Sequence, residues 1–414
     1  MTNIEVKNTD TIWRNGRFIT MDHTVDGDYG LLTDHDLVTR ENKIVGFVPK
    51  SASATSNHII DLKGALVTPG FIDCHTHIVF GGNRAKEWEM RLNGVPYTQI
   101  AQEGGGINST VRQTRALSED ALYELANKRM LALANEGVTT IESKSGYGLD
   151  LENERKQLAV SRKLAQNFPI DIAATLLSAH TVPPEYKDKA DEYVDEICNN
   201  IMPTLWKEGL FEAVDVFCES VGFTLEQTRR VYEAAKNLGI PVKGHMEQMS
   251  NLGGSSLVAE YNGLSVDHIE YLDEAAIEKM SHGRTVATLL PLAFYFLRET
   301  KVPPVELLRK YKVPMAVSTD FNPGTSPFTS IRFAMNAACV QFGLTPLEVM
   351  AAVTRNAAQA LGRENTHGQL KAGFEANFAV WNANEPVEIF YELGYNPLMQ
   401  VVFAGKISIN KANN

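Results

Sequence analysis

The sequence predicts an α/β protein, a (β/α)8 TIM-like barrel with a small β-sandwich domain built from both chain ends. Three observations lead there. The middle of the chain alternates short apolar runs with helix-like stretches, both ends consist of short alternating strands between polar turns, and titratable residues gather just after the apolar runs. Repeated strand–helix alternation implies a parallel sheet with helical crossovers, and eight such units close on themselves. A doubly wound open sheet is the alternative, but no Gly-rich dinucleotide fingerprint follows any strand.

The first 64 residues read as short strands. Thr11 to Thr20 alternates, and Asp36 to Val48 reads as two strands around a polar turn. The last stretch returns to this style in Ala376 to Trp381 and Gln400 to Gly405. Neither end makes a stable sheet alone, so a composite sandwich of residues 1–64 plus 366–414 is expected, with the barrel at 65–365. An apolar run from Ala65 to Ile72 reads as one buried strand. The expected barrel strands are Phe71–Val79, Val138–Ser143, Ile170–Leu177, Ala213–Cys218, Pro241–Gly244, Ser265–Ile269, Thr285–Leu289 and Val313–Ser318. Helical patterns lie between most of them, at Glu119–Asn135, Glu152–Ala165, Leu225–Leu238, Asp273–Met280, Val305–Lys310 and Pro327–Gln341.

Bulk properties narrow the function. A length of 414 residues suits one large domain with an accessory unit. A net charge of −11 without a basic cluster argues against a nucleic-acid partner. The longest greasy stretch, Thr285 to Leu297, contains Pro291 and is too short to span a bilayer, so no membrane role is expected. The N-terminus lacks a signal-peptide core. Cys74, Cys198, Cys218 and Cys339 show no disulfide spacing. A reduced, cytoplasmic protein is the expectation.

Barrel active sites sit at the carboxyl ends of the strands. The first strand ends in His75 and His77, set in Pro69-Gly70-Phe71-Ile72-Asp73-Cys74-His75-Thr76-His77. Residues i and i+2 of a strand share a face, so both imidazoles can converge on a divalent metal such as Zn or Fe. Later ends supply Ser143 to Gly148 around Tyr147, His180, Cys218 and Glu219, His245 to Gln248, Asp267 to Glu270 around His268, and Ser318 to Gly324 around Asp320.

His-x-His on strand one, His on strands five and six and Asp on strand eight resemble the amidohydrolase superfamily. Its members hydrolyse C–N bonds on metal-bearing barrels. Gly81-Gly82-Asn83-Arg84, Gly104-Gly105-Gly106-Ile107, Ser143 to Gly148, Ser178 to Pro183 and Thr319 to Thr325 are similar to its histidine-degrading branch. The resemblance covers essentially the whole chain. It implies hydrolytic ring opening of a small-molecule substrate, 4-imidazolone-5-propanoate, to N-formimidoyl-L-glutamate. It also implies one Zn or Fe ion held by His75, His77, His245 and Asp320, and a homodimer.

In the roles so implied, Asp320 accepts the proton of the attacking water, and His268 orients that water or steadies the oxyanion. Substrate contacts carry over to Arg84, Tyr147, His180, Gln248, Asn322, Gly324 and Thr325. A guanidinium suits the propionate because it binds a carboxylate bidentately. Mononuclear relatives commonly carry a Glu where Gln248 stands. Gln248 cannot titrate, reads as a hydrogen-bonding contact, and leaves the leaving-group acid unassigned. Cys218 and Glu219 stand where dinuclear relatives use a carbamylated lysine, so one metal is favoured, and Lys144 reads as a charge partner. The alternatives are another cyclic amidase or deaminase of the superfamily and a non-catalytic metal-binding protein; Arg84 and Tyr147 favour a carboxylate-bearing substrate over a neutral nucleobase.

Overall fold

The computed structural model describes residues 4–96, 99 and 104–411. Eight parallel strands run in sequence order around the barrel. They are β1 (Phe71–Asp73), β2 (Val138–Lys144), β3 (Asp171–Ala179), β4 (Ala213–Cys218), β5 (Val242–Met246), β6 (Ser265–His268), β7 (Val286–Leu289) and β8 (Met315–Val317). Their burial on both faces is what helices packed around a parallel barrel require.

Crossover helices start where the sequence provides caps. Ser118 caps Glu119–Ala134, Asp150 caps Leu151–Asn167, and Thr224 with Gln227 forms a capping box on Leu225–Asn237. The expected helix from Pro327 begins later, at Ile331, because Ser330 supplies its cap. Asp320 is thereby free of any capping duty.

The ring closes between β8 and β1 through side chains more than through a ladder. The Thr319 backbone N–H donates to Asp73 Oδ1 at 3.0 Å, and its hydroxyl to Asp73 Oδ2 at 2.7 Å. The Ser318 hydroxyl also donates to the Asp73 carboxylate. Beyond them, Thr76 bridges Phe321, and the His77 N–H donates to the Phe321 carbonyl at 2.8 Å.

The chain ends form two further sheets. One is ordered Lys43–Pro49, His35–Arg40, Thr11–Arg14, His58–Asp61; the other Lys406–Asn410, Leu398–Phe403, Phe378–Trp381, Leu66–Pro69, Arg17–Ile19, Leu31–Leu32. They share a core that includes Trp13, Leu37 and Ile44 from the first and Phe18, Val67, Phe378 and Val402 from the second. Trp13 meets Phe378 edge-on at 4.8 Å across the gap.

The apolar run from Ala65 to Ile72 is two strands rather than the single one expected. Leu66–Pro69 pairs with Phe378–Trp381 and Arg17–Ile19, while Phe71–Asp73 enters the barrel. The chain changes sheet at Gly70, whose N–H turns to the Asn377 carbonyl while that of Phe71 turns to Gly137. The β1 ladder also stops at Asp73, short of the expected Val79. His75 and His77 are held on one side by their contacts with the β8 end.

Trp381 joins the two parts. It is fully buried, stacks on Phe71 of β1 at 5.2 Å, and donates Nε1–H to the Thr68 hydroxyl at 2.9 Å. Trp381→Ala is expected to destabilise the protein by about 3–5 kcal/mol. Denaturant unfolding checks this, and a loss under about 1 kcal/mol would place the junction's stability elsewhere.

Candidate metal-dependent active site

The carboxyl ends of the strands bring His75, His77, His245, His268 and Asp320 into one cluster, none more than 4 % exposed. His75 and His245 ring centroids lie 4.5 Å apart, and those of His75 and His77 5.4 Å apart. His75 Nε2 stands 3.3 Å and His77 Nε2 3.7 Å from Asp320 Oδ1. Donors held about 2.0–2.1 Å from a tetrahedral ion sit roughly 3.3 Å from one another, so these separations suit a shared metal. His75 Nε2 and Asp320 Oδ2 are buried without a hydrogen-bond partner. Such orphans are costly, and an ion between them removes the cost. His75, His245 and His268 form a second close grouping.

Each of two histidines in the cluster is backed by a carboxylate. His75 Nδ1 lies 2.7 Å from Asp267 Oδ2, and His245 Nδ1 3.1 Å from Asp215 Oδ2. A carboxylate behind an imidazole fixes the tautomer and turns the other nitrogen outward. Lys144 Nζ ties these backers together, at 2.6 Å from Asp215 and 3.5 Å from Asp267, with Glu142 at 3.0 Å. Lys243 Nζ reaches Glu142 at 2.8 Å. Lys144 thus acts as the expected charge partner.

The electrostatics favour the neutral, ligand form of His75 and His77, while burial pushes the Asp320 carboxyl well above its usual value. Burial, reinforced by Lys144, pushes the His75 pKa well below its usual value, and burial with the neighbouring imidazoles does the same to His77. Neutral imidazole is the form a metal takes. Burial and His245 push His268 down to about 3. Burial would raise the Asp215 carboxyl, but His245 and Lys144 hold it below the usual range. Glu270, beyond His268, has its carboxyl pushed up to about 8 by burial and leaves Oε2 unpaired.

Several strand ends are bent into unusual backbone. Asp320 has φ +51°, Glu247 +50°, His268 +80° and Ile269 +70°. Non-glycine residues adopt this region at a cost, and such strain gathers where side chains must be aimed.

The residues carried over as substrate contacts fall into two groups. Tyr147 and His180 lie beside the histidine cluster: His180 stacks on His77 at 5.4 Å, and Tyr147 is 5.9 Å from it. Gly146, at φ +101°, permits this approach, since a Cβ there would meet His180 Nδ1 at 2.9 Å. Arg84 instead packs over the β8 loop, where a Cβ on Gly324 would lie 2.2 Å from its Nη1. Its Nε pairs with Glu87 at 2.9 Å. Asn322 Oδ1 accepts the N–H groups of Gly324 and Thr325, both at 2.8 Å, and so shapes the loop. Gln248 is partly buried. Its neighbour Glu247 accepts N–H groups from Gly254 and Ser255 at the start of helix Gly254–Glu260 and is committed there. Sequence reasoning gave no role to Asp215, Asp267, Glu142 and Lys243. The available signal was charge inside apolar strand runs.

The amidohydrolase family model matches residues 66–408. A relative named imidazolonepropionase from Photorhabdus laumondii is 61% identical over 412 residues, covering 99% of both chains. Another of that name from Salmonella paratyphi A is 60% identical, covering 96% of this chain and 98% of its own. Among solved structures, the zinc complex of an atrazine chlorohydrolase from Arthrobacter aurescens matches with a TM-score of 0.71 at 15% identity, covering 97% of this chain and 95% of its own. The chain belongs to the amidohydrolase family. It is a metal-dependent hydrolase by that membership and by the His/Asp group at the strand ends. Among the described residues no helix is long and apolar enough to cross a membrane.

His75→Ala is expected to abolish metal retention. Asp267→Asn, which keeps the ligands but weakens the backing of His75, should lower metal affinity about 10–100-fold. Metal content against a competing chelator measures both, and undiminished affinity in Asp267→Asn would break the link between this carboxylate and the site.

Proposed function

We propose that this chain opens the ring of 4-imidazolone-5-propanoate by hydrolysis, giving N-formimidoyl-L-glutamate in histidine breakdown. The observation that carries the reading is the convergence of His75 Nε2 and His77 Nε2 on Asp320 Oδ1. The names of the relatives at about 60% identity supply the substrate. In this reading His75, His77, His245 and Asp320 hold one ion, and the donor set accepts Zn or Fe. A homodimer in the cytoplasm belongs to the same reading and rests on the resemblance to these relatives.

The ion, when bound, supplies Lewis acidity that brings the pKa of a water from about 15.7 toward about 7. The chain's own residues do the rest. Asp320 takes a proton from the water as its oxygen attacks the lactam carbonyl carbon, and returns it to the ring nitrogen as the C–N bond breaks. His268, neutral at working pH, steadies the oxygen that gains charge. Arg84 binds the propionate, Tyr147 and His180 flank the ring, and Gln248 offers an amide to it. Burial excludes bulk water, which strengthens these interactions. A deaminase acting on a neutral heterocycle would offer Arg84 no carboxylate beyond that of Glu87.

The test is loss of imidazolone absorbance with purified protein and substrate. His268→Asn should keep its metal and lose about 10²–10³ in kcat. A variant without metal would make His268 a ligand, and one of full rate would remove it from the reaction. Arg84→Lys should raise KM while preserving most of kcat, because the fork is lost and the charge kept. Absence of turnover by the metal-loaded wild type would overturn the reading.

A further inference from the structure

A cavity of about 760 Å³ opens outside the histidine cluster, larger than the proposed substrate needs. Its inner wall includes Phe80 and Phe321, which meet at 5.8 Å. Phe321 directly follows Asp320, and Phe80 approaches Tyr147 at 6.2 Å. The cavity therefore abuts the site while these rings separate it from the histidines. Its outer part is aromatic: Trp88 stacks on Phe296 at 5.9 Å, and Phe296 meets Phe328 at 5.7 Å.

The charge of this cavity opposes that of the molecule. Arg84, Arg91, Arg129 and Arg298 line it, against Glu87 as its one acidic wall residue among the described residues. The whole chain carries −11. Arg84 is the cation paired with Glu87. Arg129 spends its donors on the carbonyls of Ile78 and Phe80, at 2.9 and 2.7 Å, and has no carboxylate partner among the described residues. Arg91 and Arg298, also in the lining, have neither hydrogen-bond nor ion-pair partners for their guanidinium groups among the described residues. Arg298 is held at the outer end of helix Pro291–Leu297 by a left-handed backbone, φ +59°. Unpaired cations beside stacked rings suit a flat conjugated ring bearing a carboxylate, through stacking and charge together.

We propose that this cavity is an outer capture site for carboxylate-bearing heterocycles, with Arg91 and Arg298 making the first contact before the carboxylate passes inward to Arg84. The inference rests on the substrate class given above. A negatively charged protein repels an anionic substrate, and a local cationic cleft reverses that field where entry occurs. Arg91 and Arg298 then act on association and leave the bond-breaking step alone.

Imidazole-4-propanoate, a flat ring with a carboxylate and no lactam to hydrolyse, is the binding probe. It should quench tryptophan fluorescence in the metal-loaded wild type, and Trp88→Phe should remove most of that change. The double variant Arg91→Gln/Arg298→Gln should bind the probe more weakly and lose about fivefold in kcat/KM at low salt, the scale of one half-buried and one exposed charge. Its kcat should be unchanged, and its kcat/KM should fall less steeply with ionic strength. Lys207→Gln/Lys406→Gln, with the same charge loss away from this cavity, should behave as wild type. Equal kcat/KM and salt slope in the arginine variant and wild type would overturn the proposal, as would equal losses in both double variants. Quenching by the probe without turnover of the imidazolone would sink the proposed reaction and leave the capture site standing.

Discussion

The ammonium of Lys144 is the contact on which the metal site depends. It lies within 3.5 Å of three carboxylates from three strands, all fully buried. Burying any of these charges alone is prohibitive, and removing one partner of such a group typically costs about 3–5 kcal/mol. The arrangement survives because each charge is also hydrogen-bonded. Asp267 accepts from the Ser265 hydroxyl at 2.6 Å, and the Glu142 carboxylate accepts from Thr175 at 2.6 Å and from Lys243 at 2.8 Å. Through Asp267 and Asp215 this network sets which nitrogen His75 and His245 turn toward the centre. Barrel stability and ligand aim thus have one cause.

A second constraint acts at the seam. With only a short β1, closure relies on Asp73 gripping Ser318 and Thr319, which stand directly before Asp320. The same carboxyl, pushed up to about 6 by burial, sits directly before Cys74 and His75. One side chain therefore registers the Asp-bearing loop against the His-x-His segment. The cluster is assembled from separate strands, yet little freedom remains between its parts.

Much of this was legible in the sequence because it was written in local patterns. Alternating apolar and helical stretches gave the barrel. Histidines and Asp320 just after apolar runs gave the cluster, since the end of a strand is a local property. What escaped depended on which faces of the strands meet inside. Lys243 and His245 share a face by their spacing, but only the barrel's closure shows that Lys243 finds Glu142. The change of sheet at Gly70 was hidden because Leu66–Pro69 and Phe71–Asp73 are both buried, and apolar runs do not state their partners. Gln248 and Glu247 show the reverse. Sequence placed them on opposite sides, and the carboxylate of Glu247 is spent on the next helix.

Enclosure of the histidines carries a consequence for the charge balance of the site. With His75 fully buried and His77 only 2 % exposed, dissolved salt screens little of what stands between them. Neutral imidazoles bring no charge of their own, so Asp320 and the carboxylates behind His75 and His245 set the local field. A change of ionic strength therefore alters events at the mouth of the barrel far more than those at its centre.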